Sequence, residues 1–256
     1  MNTLLSTQPS SGPNPARGRR ASFATTRWSV VLLAGRNDTE RARAALAKLC
    51  AGYWYPLYVY ARRRGHAHAD AQDLTQAFFA RVLARQSLAA ADPARGRFRS
   101  FILTAMKNFL ADEWAKAQTQ RRGGETPTLS LDWVAAEKHY NLEPADADSP
   151  DKAFDRRWAH ALLEAALAAL AEEYRADGAG ELFAALRGTL VGERAAQPYA
   201  ELGAQLGLSE SAIKVAVHRL RKRYRARLRA EIAQTVATAE EVDGEMQHLF
   251  RSLGGA

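Results

Sequence analysis

The chain has 256 residues, of which 47% are apolar, a size and composition that suit one or two globular domains. Its formal net charge of +8 favours a polyanion as partner, and its single cysteine, Cys50, excludes an internal disulfide framework. No segment approaches about 18 uninterrupted apolar residues, so we expect no membrane span and a cytoplasmic location.

The first 24 residues form a Ser/Pro/Arg-rich leader that we expect to be disordered. Beyond it, apolar residues recur at helical spacing and predict an all-α fold, beginning with a helical domain over 25–122. Within that domain, Asp38 is the predicted cap of the second helix, and Pro56 should kink it. The helices of this domain are expected near 26–35, 39–64, 69–86 and 98–119.

The segment 123–153 changes composition and predicts a linker. It contains three prolines and two glycines, and its seven acidic residues outnumber two lysines, for a net charge of −5. Its apolar residues, including Trp133 and Tyr140, suggest that parts of it dock on another element. An acidic strap of this kind could also shield basic surfaces when no DNA is bound, a hypothesis that linker deletion would test.

A second helical domain is predicted over 154–232, and it ends in a helix-turn-helix. Gly207 marks the tight turn, Ser209 is placed to cap the second helix, and Gly203 lacks a side chain where the two helices cross. Before this pair, helices are expected through Trp158–Tyr174 and Leu182–Leu190. The tail 233–256 has a weak amphipathic pattern that fits either capping of the second domain or a partner.

Basic charge is concentrated in two places. Segment 209–231 carries eight basic residues against two acidic ones, for a net charge of +6. Segment 95–122 carries seven against two, for +5, with aromatic residues such as Phe98 and Trp114 interleaved. Cations neutralise phosphates, and aromatic faces stack on unpaired bases. The two segments therefore predict two nucleic-acid surfaces, one of them for single strands.

Three motifs together resemble the extracytoplasmic-function type of sigma-70 family sigma factors. They are DAQDLTQAFFARVL at 70–83, RGRFRSFILTAMKNFLADEW at 95–114 and PYAELGAQLGLSESAIKVAVHRLRKRYR at 198–225. They are similar to regions 2.2, 2.3 to 2.4, and 4.2 of that family. The resemblance implies binding to core RNA polymerase and to promoter DNA, with an anti-sigma factor as a further candidate partner.

The resemblance also implies roles for individual residues. Polymerase binding falls on Asp73 and Gln76, followed by Ala77 where the family often has an acidic residue. The residues matched to contacts with the −10 element are Arg97, Phe98, Arg99, Lys107 and Asn108. Those matched to contacts with the −35 element are Ser211, Lys214, Val215, His218, Arg219 and Lys222.

The sequence gives less support to other classes of function. Asp70 and Asp73, or His66 and His68, lack the further ligands that a metal site needs, and no phosphate-binding glycine loop precedes a lysine. We therefore expect no catalytic residues, metal or cofactor. The main alternative is a conventional helix-turn-helix regulator with a sensing pocket within 25–120. A third is an adaptor of polymerase with incidental DNA affinity.

Overall fold

The computed structural model describes residues 27–34, 40–84, 97–119, 132–141, 149–191 and 198–254. In these ranges the chain forms twelve helices and no strand, apart from one antiparallel bridge between Arg97 and Val236, so the all-α prediction is confirmed. None of these helices is long and apolar enough to cross a bilayer. The helices are α1 Arg27–Ala34, α2 Glu40–Ala51, α3 Trp54–Arg63, α4 His68–Ala84, α5 Phe98–Thr119, α6 Trp133–Asn141, α7 Pro150–Ala176, α8 Gly180–Leu186, α9 Gly188–Val191, α10 Tyr199–Leu206, α11 Glu210–Ala233 and α12 Glu240–Leu253.

The helix expected over 39–64 is divided into α2 and α3 by a tight turn. The N–H groups of Gly52 and Tyr53 bond to carbonyls three residues back, at 3.1 and 2.9 Å. Pro56 lies in the first turn of α3, where its missing N–H leaves no helical hydrogen bond unmade. The break therefore precedes the proline instead of arising at it. The predicted cap, Asp38, lies outside the described residues.

A larger core joins elements from both ends of the chain. It contains the buried faces of α1 to α5, the first half of α7, the last turns of α11, and α12. In its centre the indole Nε1 of Trp158 donates a hydrogen bond of 3.0 Å to the Tyr53 hydroxyl, so that α7 is fixed to the turn before α3. The C-terminal segment therefore packs with the first helices of the chain.

A smaller core lies around the other ends of α7 and α11. Leu170 and Tyr174 of α7 meet Phe183 and Leu186 of α8, and α10 and the first turns of α11 close the cluster. The single helix expected over 182–190 is divided between α8 and α9 at Arg187. Both α7 and α11 run through the two cores, so the packing changes midway along these helices, whereas the sequence predicts the domain boundary within 123–153.

Part of the predicted linker is helical and docked. Within α6, Ala136 is buried, and Trp133 and Tyr140 pack against the larger core. The Glu137 carboxylate accepts hydrogen bonds from Tyr58 and from Arg62, the latter at 3.2 Å. Burial alone would raise the pKa of Glu137, but the Tyr58 hydrogen bond and the Arg62 charge outweigh it and lower that pKa.

Candidate nucleic-acid and polymerase surfaces

The geometry of α10 and α11 is set by three residues at their junction. Gly207 ends α10 in the left-handed region, at φ 65°, and Ser209 caps α11 by accepting the Ala212 N–H at 3.2 Å. A Cβ on Gly203 would lie 2.5 Å from the Leu208 carbonyl oxygen. Only glycine allows this approach, so the predicted roles of all three residues are confirmed.

One face of α11 is exposed along its first three turns. Ile213, Val217 and Leu220 are buried in the smaller core, and the helical repeat turns the intervening residues outward. All six residues predicted to contact the −35 element are exposed: Ser211, Lys214, Val215, His218, Arg219 and Lys222. The structure therefore brings this predicted set together on one surface.

Apart from Arg221, which donates to the Thr189 carbonyl, the basic residues of α11 divide into two groups by their partners. Arg223 binds Glu173 and Asp177 at 3.1 and 3.0 Å, Arg227 binds Glu173, and Arg229 binds Asp243. Within the described part of the chain, Arg219, Lys222 and Arg225 have no carboxylate partner, and Lys214 binds Glu210 on its own helix. The second group supplies positive charge that is accessible to a polyanion.

Asp73 and Gln76 lie three residues apart on α4, which places them on neighbouring positions of one helix face. Asp73 is exposed and Gln76 is half-buried. The opposite face of α4 is anchored by Phe78, Phe79 and Val82 in the larger core. The polar pair is therefore held on a rigid element and remains accessible.

Phe98 begins α5 and is fully buried. Its ring packs at centroid distances of 5.1 Å from Trp28 and 4.9 Å from Tyr53, and its N–H donates to the Thr235 carbonyl at 2.9 Å. In this conformation Phe98 belongs to the core and cannot stack on a base. The exposed aromatic residue of α5 is Trp114, whose relative exposure is 68%.

Arg97 and Arg99 share one carboxylate from the far end of the chain. Glu245 of α12 accepts from Arg97 Nη1 at 2.9 Å and from Arg99 Nε at 3.1 Å, and it is fully buried. Arg99 also donates to Asp155 of α7 at 2.7 Å and lies over the Trp158 ring. Burial lowers the pKa of Arg99, but the hydrogen bond and charge of Glu245 more than offset it and raise that pKa.

The remaining two residues predicted for the −10 element lie farther along α5. The Lys107 ammonium pairs with Asp151 of α7 at 2.5 Å, and both side chains are about half exposed. Asn108 is exposed. The five residues therefore form no common open surface, because α7 and α12 engage three of them through their side chains and Phe98 lies in the core.

Glu245 was not predicted as a functional residue, although the apolar residues around it indicate that it is buried. It lies among Val242, Met246 and Leu249, at positions that place it on the apolar stripe of α12. A carboxylate on such a stripe needs a buried cationic partner, since an unpaired buried charge is strongly unfavourable. The tail packs on α7 and α11, which lie largely within the segment predicted as the second domain, and its buried residues belong to the larger core.

Three other features could carry chemistry: a cysteine, groups of metal-ligating side chains and a cavity. Cys50 is buried, and burial raises the pKa of its thiol to about 12, so the reactive thiolate is scarce near neutral pH. Among the described residues no group of three or more His, Cys, Asp or Glu side chains could hold a metal. A cavity of about 940 Å³ lies between α7, α9, α11 and α12, outside the segment 25–120 in which a regulator would need its sensing pocket.

Comparison with protein families identifies one segment of the chain. Residues 55–120 match sigma-70 region 2, a segment that includes most of α3 and all of α4 and α5. The match covers about a quarter of the chain and supports a sigma-70 family factor. Neither a curated protein nor a solved structure matches the chain.

Proposed function

We propose that the chain is a sigma factor of the extracytoplasmic-function type, which binds core RNA polymerase and directs promoter recognition, melting and transcription initiation. The observation that carries the proposal is the match of residues 55–120 to sigma-70 region 2. Sigma factors supply promoter choice while the polymerase makes RNA, so no enzymatic activity is assigned to the chain itself.

In this proposal α4 is the docking surface for polymerase. Asp73 and Gln76 are accessible there, and the helix beneath them is fixed by buried aromatic residues. A preformed, rigid surface binds with little ordering of its own side chains, which favours affinity.

The two basic surfaces would then act on two parts of a promoter. The exposed face of α11 is a helix face of a width and charge suited to a major groove, where it would contact the −35 element. The N-terminal half of α5 would contact the −10 element after the bases of that element have left the stacked duplex. Each flipped base costs a few kcal/mol, which protein contacts must offset.

A conventional DNA-binding regulator is the competing function, because the α10–α11 pair alone would serve it equally well. The difference lies in the dependence on polymerase. A regulator binds its DNA without polymerase and opens none of it, whereas a sigma factor directs initiation only as part of the holoenzyme.

The proposal is tested by run-off transcription with core RNA polymerase from the same organism, with and without the purified full chain. Templates include the DNA upstream of its own gene. We expect new transcripts with a defined start only when the protein is present. Absence of transcripts, together with a polymerase-free footprint on the same DNA, would favour the regulator.

Two matched variants separate polymerase binding from DNA binding. Asp73→Ala should weaken association with core polymerase and leave duplex DNA binding by the free chain unchanged. Glu181→Ala removes the same charge from an exposed position on α8 and should change neither property. If Asp73→Ala altered only DNA affinity, the role assigned to α4 would be wrong.

A further inference from the structure

The C-terminal helix closes over the start of α5 through several independent contacts. Glu245 is buried between the guanidinium groups of Arg97 and Arg99, and Arg97 forms a backbone bridge with Val236 just before α12. The backbone of α12 is also close, since a Cβ on Gly244 would lie 2.9 Å from Arg97 Nη2. The start of α5 is therefore covered by a distant segment of the chain, since Glu245 is 148 residues from Arg97 in sequence.

The covered arginines are the same ones that the proposed function assigns to the −10 element. A carboxylate and a phosphate present similar pairs of oxygen atoms to a guanidinium group, so one can replace the other. Asp155 of α7 adds a second carboxylate to Arg99. In the free chain these two acids take up the donor groups that would otherwise face a DNA backbone.

We propose that α12 is an intramolecular cover of this basic site, and that Glu245 holds the place of a DNA phosphate on Arg97 and Arg99. The inference rests on the proposed function. The free chain keeps its α5 site closed, and the site opens when α12 is displaced during assembly with polymerase and promoter. The cover thus prevents the free chain from binding single strands indiscriminately.

The attachment of α12 is suited to reversible release. The helix has 14 residues, and only Val242, Met246 and Leu249 among its apolar residues are buried. Buried ion pairs add little net stability, because the loss of hydration offsets much of their attraction. When a DNA phosphate takes the place of Glu245, Arg97 and Arg99 therefore remain paired with a negative charge.

The test compares Glu245→Gln with Asp243→Asn in the full chain. Both changes remove one negative charge from α12, but Asp243 is exposed and pairs with Arg229, outside the covered site. The probe is a fluorescently labelled oligothymidine, which needs neither polymerase nor a mapped promoter. We expect about tenfold tighter binding for Glu245→Gln, and a change of less than about twofold for Asp243→Asn.

The outcomes separate the cover from the proposed function. Equal affinities of folded Glu245→Gln, Asp243→Asn and unaltered chain would overturn the cover, whatever the transcription assay gives. Tighter binding by Glu245→Gln without any run-off transcript would support a covered single-strand site and contradict the sigma factor proposal.

A second measurement uses the unaltered chain, so its result does not depend on whether Glu245→Gln folds. Amide hydrogen exchange is followed in segment 240–253, first in the free chain and then in the holoenzyme bound to its mapped promoter. We expect protection in the free chain and its loss in the promoter complex. Equal protection of this segment in both states would overturn the cover.

Discussion

Two basic surfaces of similar charge have opposite accessibility in this chain. The face of α11 that starts at Ser211 is open to solvent, and the arginines of α11 that pair with acids, such as Arg223 and Arg229, lie farther along the helix. At the start of α5, by contrast, Arg99 is only 8% exposed and is bound by carboxylates of α7 and α12. A run of basic residues is therefore available to nucleic acid only where the fold places no acidic side chains against it.

Under the proposed function, this difference suits a two-step use of the chain. The open face of α11 would act on duplex DNA as soon as polymerase delivers it, while the start of α5 would be needed only once DNA is melted.

Phe98→Ala should destabilise the fold by about 3–5 kcal/mol, because it removes a fully buried ring packed against Trp28 and Tyr53. Denaturant unfolding of the full chain measures the loss. The control is Trp114→Ala on the same helix, where the ring is exposed and stability should change by less than about 0.5 kcal/mol. Unaltered stability of Phe98→Ala with weakened DNA binding would show that Phe98 contacts bases instead.

Gly203→Ala should destabilise the α10–α11 pair by about 1–3 kcal/mol, because the new Cβ meets the Leu208 carbonyl oxygen at 2.5 Å. Duplex DNA binding should fall with it, since the exposed face of α11 depends on that crossing. Gly180→Ala, at the first residue of α8, is the control, because the nearest atom is 4.0 Å from the new Cβ. If the two variants had the same unfolding temperature and the same affinity for duplex DNA, the contact at Gly203 would not set the position of α11.

Arg219→Ala should weaken duplex DNA binding and reduce the slope of log affinity against log salt concentration by about 1, because one phosphate contact is lost. Arg223→Ala removes the same charge, but Arg223 binds Glu173 and lies 4.4 Å from the centroid of the Tyr174 ring. Its slope should stay unchanged while stability falls. Titrations at several salt concentrations distinguish the variants, and equal slopes would contradict the division of the basic residues of α11.

Glu137→Gln should remove a small pH dependence of stability and leave both DNA surfaces unchanged. The folded-state pKa of Glu137 lies below its usual value of 4.5, so its contribution is complete above that value and disappears as the pH falls through the lowered pKa. Unfolding curves between neutral pH and pH of about 3 measure it. Tighter DNA binding by this variant would instead indicate that the acidic strap shields a basic surface.

Local features of the fold followed from the sequence. The turn at Gly207 and the cap at Ser209 are fixed by neighbouring residues, so periodicity and side-chain chemistry were sufficient to predict them. The break in the second predicted helix was expected at Pro56 but lies at Gly52. A proline can interrupt a helix or occupy its first turn, and Pro56 does the second.

The covered site did not follow from the sequence. Its contacts join Arg99 to Asp155 and to Glu245, partners separated by 56 and 146 residues. Helical periodicity describes only neighbours within a few turns, so it predicted the amphipathic character of α12 but not the element on which that helix packs. The buried carboxylate on an apolar stripe was the available clue.

Permanganate footprinting of a mapped promoter shows directly whether this protein opens DNA together with polymerase, because permanganate reacts with unpaired thymines. We expect reactive thymines immediately upstream of the start site only when core polymerase and this protein are both present. Protection of duplex DNA by the protein alone, with no reactive thymine when polymerase is added, would contradict the assignment as a sigma factor.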